Sequence, residues 1–398
     1  MILTNNISSL LSNFDLADFI VKNNETTASE YILRYKGTKN KLNWYLAEQL
    51  NIYPKAKHKI PAFVQKYCWF TQKSYEQASS QLSADFKSKL VTGKSCLDLS
   101  GGLGVDAWAF SQKFNKVVSL DPDNQLNEIV RLNFEKLGVK NCERIDSTAE
   151  NYLENCDEKF DLIYLDADRR TSGKRSFQIN ECSPNYILLA QKIEALSNNI
   201  LLKVSPLADI HYLFETLENI KKIIVISVHQ EVKEILVLIV PGYLTSVNIE
   251  AVNIDENESQ QSFSGIISQA IETPTIVNPV YLFEPAASVI KAGLSIAYAN
   301  SLQLYQIAKN TAFYTGLSPK ENFIGRQFKI KTSFQFSKSK FSAYIKVQEL
   351  HKANITRRNF NLSVEELRKV FKIKEGGNDY LFFGTLHDGV KMVYHCEK

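Results

Sequence analysis

At 398 residues the chain is too long for one ordinary domain, and length alone predicts two or three. It has no run of about 18 apolar residues that could span a membrane, and its start, MILTNNISSLLSNFDLADFI, lacks the basic head of a signal peptide and carries acids in its apolar part. Six scattered cysteines with no CxxC argue against a disulfide framework or a zinc site and fit reduced thiols in the cytoplasm, while a net charge of +4 splits into +8 after residue 317 and −4 before it, a basic tail suited to a polyanion.

Residues 1–90 read as a helical segment. NKLNWYLAEQLNIY and SYEQASSQLSADFKSKL space their apolar residues three and four apart. From 95 to 240 short apolar runs alternate with amphipathic segments. The runs are SCLDL, KVVSL, CERI, LIYL, NILLKV, KKIIVISV and EILVLIV. The alternation predicts a doubly wound, mostly parallel α/β sheet with helices on both faces. Only HQEVK separates the last two runs, too little for a parallel crossover, so that pair is expected to be antiparallel. The polar, acidic stretch TSVNIEAVNIDENESQQS at 245–262 reads as a loop. EPAASVIKAGLSIAYANSL reads as helix. After RQFKIKTSF come a helix around KFSAYIKVQEL, a strand at ANITRRNF and a helix at SVEELRKVFKI, where Ser363 and Glu366 form a capping box. Two strands then flank the turn LHDGVK.

The stretch CLDLSGGLGVD carries the chemistry. A strand is expected to end at Leu97–Leu99 and a helix to begin near Val105, with Gly101, Gly102 and Gly104 at the turn. Glycines there let the backbone approach a ligand, and the helix start offers free N–H groups. Gly102, Gly104 and Ala107 satisfy a dinucleotide fingerprint, a pattern that a plain tight turn also produces. Three acids follow strand ends, where ligands bind in open α/β sheets: Asp98 before the glycines, Asp121 in VVSLDPD and Asp146 in ERIDSTAE. Asp121 is placed to accept both hydroxyls of a ribose. A nicotinamide site would use the glycines and Asp121, and would leave Asp98, Asp146 and the hairpin unexplained. S-adenosyl-L-methionine, with a sulfonium, an ammonium and no pyrophosphate, fits all of them better.

Together with FDLIYLDADRR these residues resemble a class I S-adenosylmethionine-dependent methyltransferase, whose Rossmann-like sheet has seven strands, the last inserted antiparallel. The resemblance implies that Asp98 lies near the methionine amino group and that Ser100, Gly101, Gly102 and Gly104 line the loop. It further puts Asp121 and Pro122 at the ribose, and Asp146 and Ser147 at the adenine amino group. Ser100 departs from the glycine many members carry. LLKVSPLADI, EVKEIL, YLFEPAASVIKAG and KANITRRNFNLSVEELRKVFKIKEGGNDYLFFGTLHDG extend the likeness to a bacterial methyltransferase family with a small ferredoxin-like and a C-terminal THUMP-like domain. The implied division is an N-terminal helical segment at 1–90, a methyltransferase domain at 91–275, a ferredoxin-like linking domain at 276–325 and a THUMP-like domain at 326–398. True THUMP domains bind RNA, mainly tRNA, so the implied substrate is a structured RNA. A protein or small-molecule methyltransferase, or a non-catalytic binding module with a retained cofactor fold, are the alternatives.

In this fold the fourth strand ends beside the transferred methyl group. Here it reads Tyr164, Leu165, Asp166, Ala167, Asp168, Arg169, Arg170. Enzymes acting on base amino groups often have Asp/Asn-Pro-Pro-Tyr/Phe at this place, and only Asp166 matches. Asp166 is the first candidate for orienting the methyl acceptor or taking its proton, and Asp168 the second. Arg169, Arg170, Lys174 and Arg175 form the basic run RRTSGKR, suited to phosphate or to pairing with nearby acids. Lys203 and Ser205, at the fifth strand's end, could shape a substrate pocket; a structurally paired Lys203 fits equally well. Phe334, Phe336, Tyr344, Phe360, Phe382 and Phe383 lie among lysines and arginines. They could stack on unpaired nucleotides or form the core of a small sheet.

Overall fold

The computed structural model describes residues 7–35, 41–166, 179–255, 259–266, 278–308, 311–386 and 388–398. They form two compact units. The first comprises residues 1–221 and 236–244, the second 222–235 and 245–398.

The first unit opens with helices α1 (Ile7–Ser12), α2 (Leu16–Lys22), α3 (Ala28–Arg34), α4 (Lys41–Lys59), α5 (Pro61–Gln65), α6 (Gln72–Gln77) and α7 (Gln81–Lys87). The stretch SYEQASSQLSADFKSKL is thus two helices. Ala78 is extended, and the Ser80 hydroxyl accepts from Ser83 N and restarts the helix as an N-cap. Alternating strands and helices follow: β1 (Ser95–Asp98), α8 (Val105–Ser111), β2 (Lys116–Asp121), α9 (Asn124–Leu137), β3 (Cys142–Asp146), α10 (Ala149–Glu154), β4 (Leu162–Asp166), α11 (Tyr186–Leu196), β5 (Ile200–Val204) and α12 (Ile210–Thr216). The strands lie in the order β3-β2-β1-β4-β5 and every one of these pairs is parallel. Their near-continuous apolar runs, buried along β1, β2 and β4, are what a sheet covered on both faces requires.

The N-terminal helices bury Phe63, Trp69 and Phe70 against Leu103, Val105, Ala109 and Ile129, beside and within α8 and α9. Each such ring contributes about 1.5–3 kcal/mol by leaving water. Asn133 of α9 pins the segment: its Oδ1 accepts from Trp69 N at 2.7 Å and its Nδ2 donates to Trp69 O at 2.8 Å. The helices before the sheet therefore belong to the same core as the sheet's own helices.

β6 (Ile220–Val228) and β7 (Glu231–Ile239) contribute to both units. Their connection, His229 and Gln230, has positive φ at both residues (51° and 65°). That is the two-residue turn that joins antiparallel strands, and it places the expected hairpin at 222–240. The stretch 245–262 is not a loop, contrary to its polar appearance. β8 (Asn248–Ile254) pairs parallel to β6, and β9 (Gln260–Gly265) pairs antiparallel to β8. Ile249, Ala251, Val252 and Ile254 are buried, and the acid Glu250 is neutralised by Lys222 at 2.5 Å. Asn248 and the acid Glu250, on positions that are not buried, conceal a strand.

The rest of the second unit is one sheet with helices: β10 (Tyr281–Pro285), α13 (Ala287–Lys291), α14 (Ser295–Ser301), β11 (Tyr305–Gln306), β12 (Tyr314–Gly316), β13 (Gly325–Gln335), α15 (Lys338–Val347), β14 (Asn354–Arg358), α16 (Val364–Phe371), β15 (Asp379–Thr385) and β16 (Lys391–Glu397). The single helix expected at EPAASVIKAGLSIAYANSL is broken into α13 and α14 at Gly293, which adopts φ 72°. Ser363 and Glu366 form the expected capping box at the start of α16. The strand order is β11-β12-β10-β13-β16-β15-β14, with Leu282 of β10 opposite Phe328 of β13. The tail's aromatic residues form the core. Phe360 and Phe383 are buried with Phe341 and Phe371 on the helical face, where Phe334, Phe336 and Tyr344 pack against them. Phe382 is buried on the opposite face with Phe313 and Phe328. Adjacent residues on one strand thus serve two cores, as a strand's period of two requires.

Candidate functional site

Between Asp98 and Val105 the chain turns from β1 into α8, and its three glycines are there for three reasons. A Cβ on Gly101 would lie 1.8 Å from Arg144 Nη1 and 2.5 Å from Ser119 Oγ. A Cβ on Gly104 would press at 2.9 Å on the Phe134 ring of α9, and φ there is +82°. Gly102 also has positive φ (+47°), but its Cβ would meet nothing within 4 Å among the described residues. Only Gly102 faces open space. The other two admit protein atoms.

Arg144, in the middle of β3, is the buried hub of this loop. Its Nε donates to Asn127 Oδ1 at 2.6 Å, its Nη1 to Ser119 Oγ at 2.8 Å and its Nη2 to the Gly102 carbonyl at 2.7 Å. Asp121 Oδ2 lies 3.6 Å from Nη2 and accepts the Gly102 N–H at 2.9 Å. Burial lowers the Arg144 pKa, and Asp121 and Asp98 oppose that shift.

The three strand-end acids have different surroundings. Asp98 is fully buried. Its Oδ1 accepts from Ser100 N at 3.0 Å and its Oδ2 from Ser119 Oγ at 2.8 Å. Burial pushes its carboxyl up from 3.8 to about 6, against the pull of the Ser100 N–H, Arg144 and Ser119. The stability linked to this raised value is full below pH ~4 and is lost as pH rises through about 6. Carbon-detected NMR of the carboxylates is expected to show Asp98 titrating near pH 6; a midpoint near 4 would contradict this electrostatic picture. Asp121 is partly exposed, and its Oδ1 accepts from Asp123 N at 2.9 Å. Asp146 is more exposed. Its Oδ1 accepts from Asn127 Nδ2 at 2.6 Å and Arg131 Nη2 at 2.7 Å, while Oδ2 has no partner among the described residues. Pro122 is exposed beside Asp121. Ser147 donates to Thr148 O at 3.0 Å, and with Asp146, Tyr152 and Cys156 it lines an open depression of about 500 Å³.

At the end of β4 the Asp166 N–H donates to Ser100 Oγ at 2.6 Å, tying the serine of the glycine loop to this corner. Asp166 Oδ2 accepts from Lys203 Nζ of β5 at 2.6 Å. Lys203 also reaches Ser79 Oγ at 3.4 Å. Ser79 in turn donates to Asp106 Oδ2 at 2.8 Å and accepts from Lys87 Nζ at 2.8 Å. Lys87 is wholly buried and pairs with Asp106 Oδ1 at 2.8 Å; the Tyr164 hydroxyl donates to Asp106 Oδ2 at 3.1 Å. Burial alone would raise the Asp106 pKa, but Lys87, Lys203 and the Ser79 hydrogen bond outweigh it, and the net shift is downward. Ser205 accepts from Leu207 N at 3.2 Å and closes the turn after β5. Asp168, Arg169, Arg170, Lys174 and Arg175 lie outside the described residues. Ser79, Lys87, Asp106, Ser119, Asn127 and Arg144 went unrecognised as site residues in the sequence, where each reads as an ordinary helix or strand position. Among the described residues no group of His, Cys, Asp and Glu is arranged to hold a metal ion, and no helix is long and apolar enough to cross a membrane.

A parallel sheet with a glycine turn after β1, acids at the ends of β1 to β4 and a hairpin at its far end defines a methyltransferase-type α/β protein. Comparison with known proteins agrees. Family models match residues 80–169 (Conserved hypothetical protein 95), 281–323 (ferredoxin-like domain) and 325–398 (THUMP domain-like). A candidate methyltransferase from Porphyromonas gingivalis W83 is 26% identical with a TM-score of 0.82, the match covering 97% of this chain and 99% of that one. A candidate methyltransferase from Streptococcus mutans, solved with SAH, matches 40% of this chain and 94% of its own (18% identity, TM-score 0.31). An rRNA methylase from Streptococcus thermophilus matches 39% and 92% (15% identity, TM-score 0.30). A search of curated proteins gives no match. The chain thus has the fold of the Porphyromonas gingivalis protein over nearly its whole length and carries stretches similar to the ferredoxin-like and THUMP domain-like families.

Proposed function

We propose that the chain is an S-adenosyl-L-methionine-dependent methyltransferase acting on structured RNA. The observation that carries the cofactor reading is the open face of Gly102, with the partly exposed carboxylates of Asp121, Asp146 and Asp166 at the neighbouring strand ends. Carboxylates accept hydrogen bonds from hydroxyl and amino groups and attract cations, the features this cofactor presents. When bound, it supplies an electrophilic methyl group on a sulfonium. Asp121 is assigned to the ribose hydroxyls and Asp146, through Oδ2, to the adenine amino group. Asp98, fully buried, acts on the ligand through Ser100 and the loop it holds. Asp166 orients the methyl acceptor through Oδ1, which has no partner among the described residues. In-line placement of the reacting groups can supply most of the acceleration.

RNA is supported by the excess of lysine and arginine after residue 317, by the THUMP domain-like match and by the chemistry of the basic run Arg169, Arg170, Lys174 and Arg175. Free thiols at all six cysteines fit a reducing cytoplasm. Mass spectrometry of nucleosides in RNA from cells with and without the gene tests the substrate: one methylated nucleoside should disappear. Identical profiles, with methyl transfer to protein instead, would replace RNA by the protein alternative. For the cofactor, Asp121→Ala should weaken S-adenosylmethionine binding by about ten- to a hundred-fold, the worth of hydrogen bonds to a charged group. Unchanged calorimetric affinity in the folded variant would remove Asp121 from the site.

A further inference from the structure

A buried charge cluster stands behind the Asp166 carboxylate. It consists of two lysines, Lys87 and Lys203, and two aspartates, Asp106 and Asp166, joined through the Ser79 hydroxyl. Its formal charge sums to zero. Lys203 is only 10% exposed and its ammonium is spent on Asp166 and Ser79, so it is poorly placed to meet substrate phosphate. We propose that Lys203 is a positioning residue that holds Asp166 for the methyl acceptor, and that Ser79, on the connection between α6 and α7, fixes Lys203. The inference rests on the methyl-transfer reading for the task given to Asp166.

The argument is one of hydrogen-bond capacity. A serine hydroxyl has one proton to donate and two lone pairs to accept with. Ser79 Oγ donates to Asp106 at 2.8 Å and accepts from Lys87 at 2.8 Å and Lys203 at 3.4 Å, so its capacity is filled. Neither lysine can turn away without leaving a lone pair of this hydroxyl unused. That fixes the direction of the Lys203 side chain. Lys203 in turn occupies Oδ2 of Asp166 at 2.6 Å, while the Asp166 N–H is held by Ser100 Oγ at 2.6 Å. Backbone and one oxygen are thereby clamped, and Oδ1, with no partner among the described residues, is left to the acceptor. The α6–α7 segment, which reads as an ordinary helical approach to the sheet, is in this way built into the transfer corner.

The test compares Lys203→Met, Lys203→Arg and Ser79→Ala in the full chain. Methyl-labelled S-adenosylmethionine is the donor and total RNA from cells lacking the gene is the acceptor. Lys203→Met should lower kcat about ten- to a hundred-fold, as misplacement of a reacting group does, with the donor KM nearly unchanged. Lys203→Arg should restore part of the loss, and Ser79→Ala should lose about ten-fold, the lower end of the worth of a hydrogen bond to a charged group. Wild-type kcat in Lys203→Met would overturn the inference, as would equal damage to kcat and donor binding without rescue by arginine. A second arm needs no acceptor. In protein labelled with carbon-13 aspartate, the Asp166 carboxylate signal, assigned through Asp166→Asn, should move and broaden in both Lys203→Met and Ser79→Ala. An unchanged signal in both would overturn the inference. Absence of labelled RNA with the wild-type chain would count against the RNA reading alone, and the carboxylate signal would then decide the positioning role.

Discussion

Gly101→Ala should cost the first unit about 3–5 kcal/mol, the penalty for stripping a buried charge of its partners. The methyl group would sit 1.8 Å from Arg144 Nη1 and 2.6 Å from its Cζ. The guanidinium cannot step aside, because Asn127, Ser119 and the Gly102 carbonyl hold three of its nitrogens. Expelling it would leave the Asn127 Oδ1 and the Gly102 carbonyl without their donor, and it would remove the positive charge that opposes the upward shift at Asp98. A loss of this size is a large part of what holds an ordinary domain folded. Arg144→Met should cost about the same. The double variant should cost much less than the sum, since the two changes destroy one interaction. Gly102→Ala is the control. It meets no atom among the described residues and bears only the strain of positive φ, about 1–2 kcal/mol. All three tryptophans, Trp44, Trp69 and Trp108, lie in the first unit, so fluorescence during urea unfolding reports that unit. A wild-type urea midpoint for Gly101→Ala, or full additivity in the double variant, would refute the hub role of Arg144.

The same residues show where sequence reasoning reaches and where it stops. The strands β1 to β6 were legible because their short runs are separated by amphipathic stretches. The hairpin followed from the shortness of its connection, and the α16 capping box from the spacing of Ser363 and Glu366. The glycine turn and the acids at 98, 121 and 146 were legible because strand ends are marked by a change of residue type. Arg144 was not, because a lone arginine in CERID looks like an outward-facing strand residue. Its partners, Asn127, Ser119 and Gly102, stand 17 to 42 positions away, and no local pattern joins them. The glycines misled in one respect: all three suggested ligand approach, and two make room for side chains of the protein itself. Strand β8 was hidden because Asn248, Glu250 and Asn253 give a polar average over a segment that is mostly buried. Lys87 reads as the usual charged end of an amphipathic helix, and only the fold turns it inward.

Lys87→Met should be the most pH-dependent of the destabilising changes. Lys87 is wholly buried and stands 2.8 Å from Asp106. Removing one partner of a buried pair costs about 3–5 kcal/mol, because the other charge is left with the burden of its desolvation. In the native chain burial acts to raise the Asp106 pKa, but Lys87, Lys203 and Ser79 turn the net shift downward. The stability linked to Asp106 is therefore present above the ordinary aspartate value and is lost as pH falls through the lowered one. Without Lys87 the largest opposing influence is gone and burial has less to overcome. The folded-state value should then rise above the ordinary one, and the sign reverses: stability is kept at low pH and lost as pH rises. The gap between native chain and variant should accordingly be wider at pH 8 than at pH 5. The double change Lys87→Met with Asp106→Asn should recover part of the loss and flatten this dependence, because no unpaired charge remains. Urea unfolding followed by tryptophan fluorescence at the two pH values measures all three chains. A gap that is constant, or that widens on acidification, would mean that Asp106 does not depend on Lys87 for its charge. The buried pair would then have to be read as packing alone.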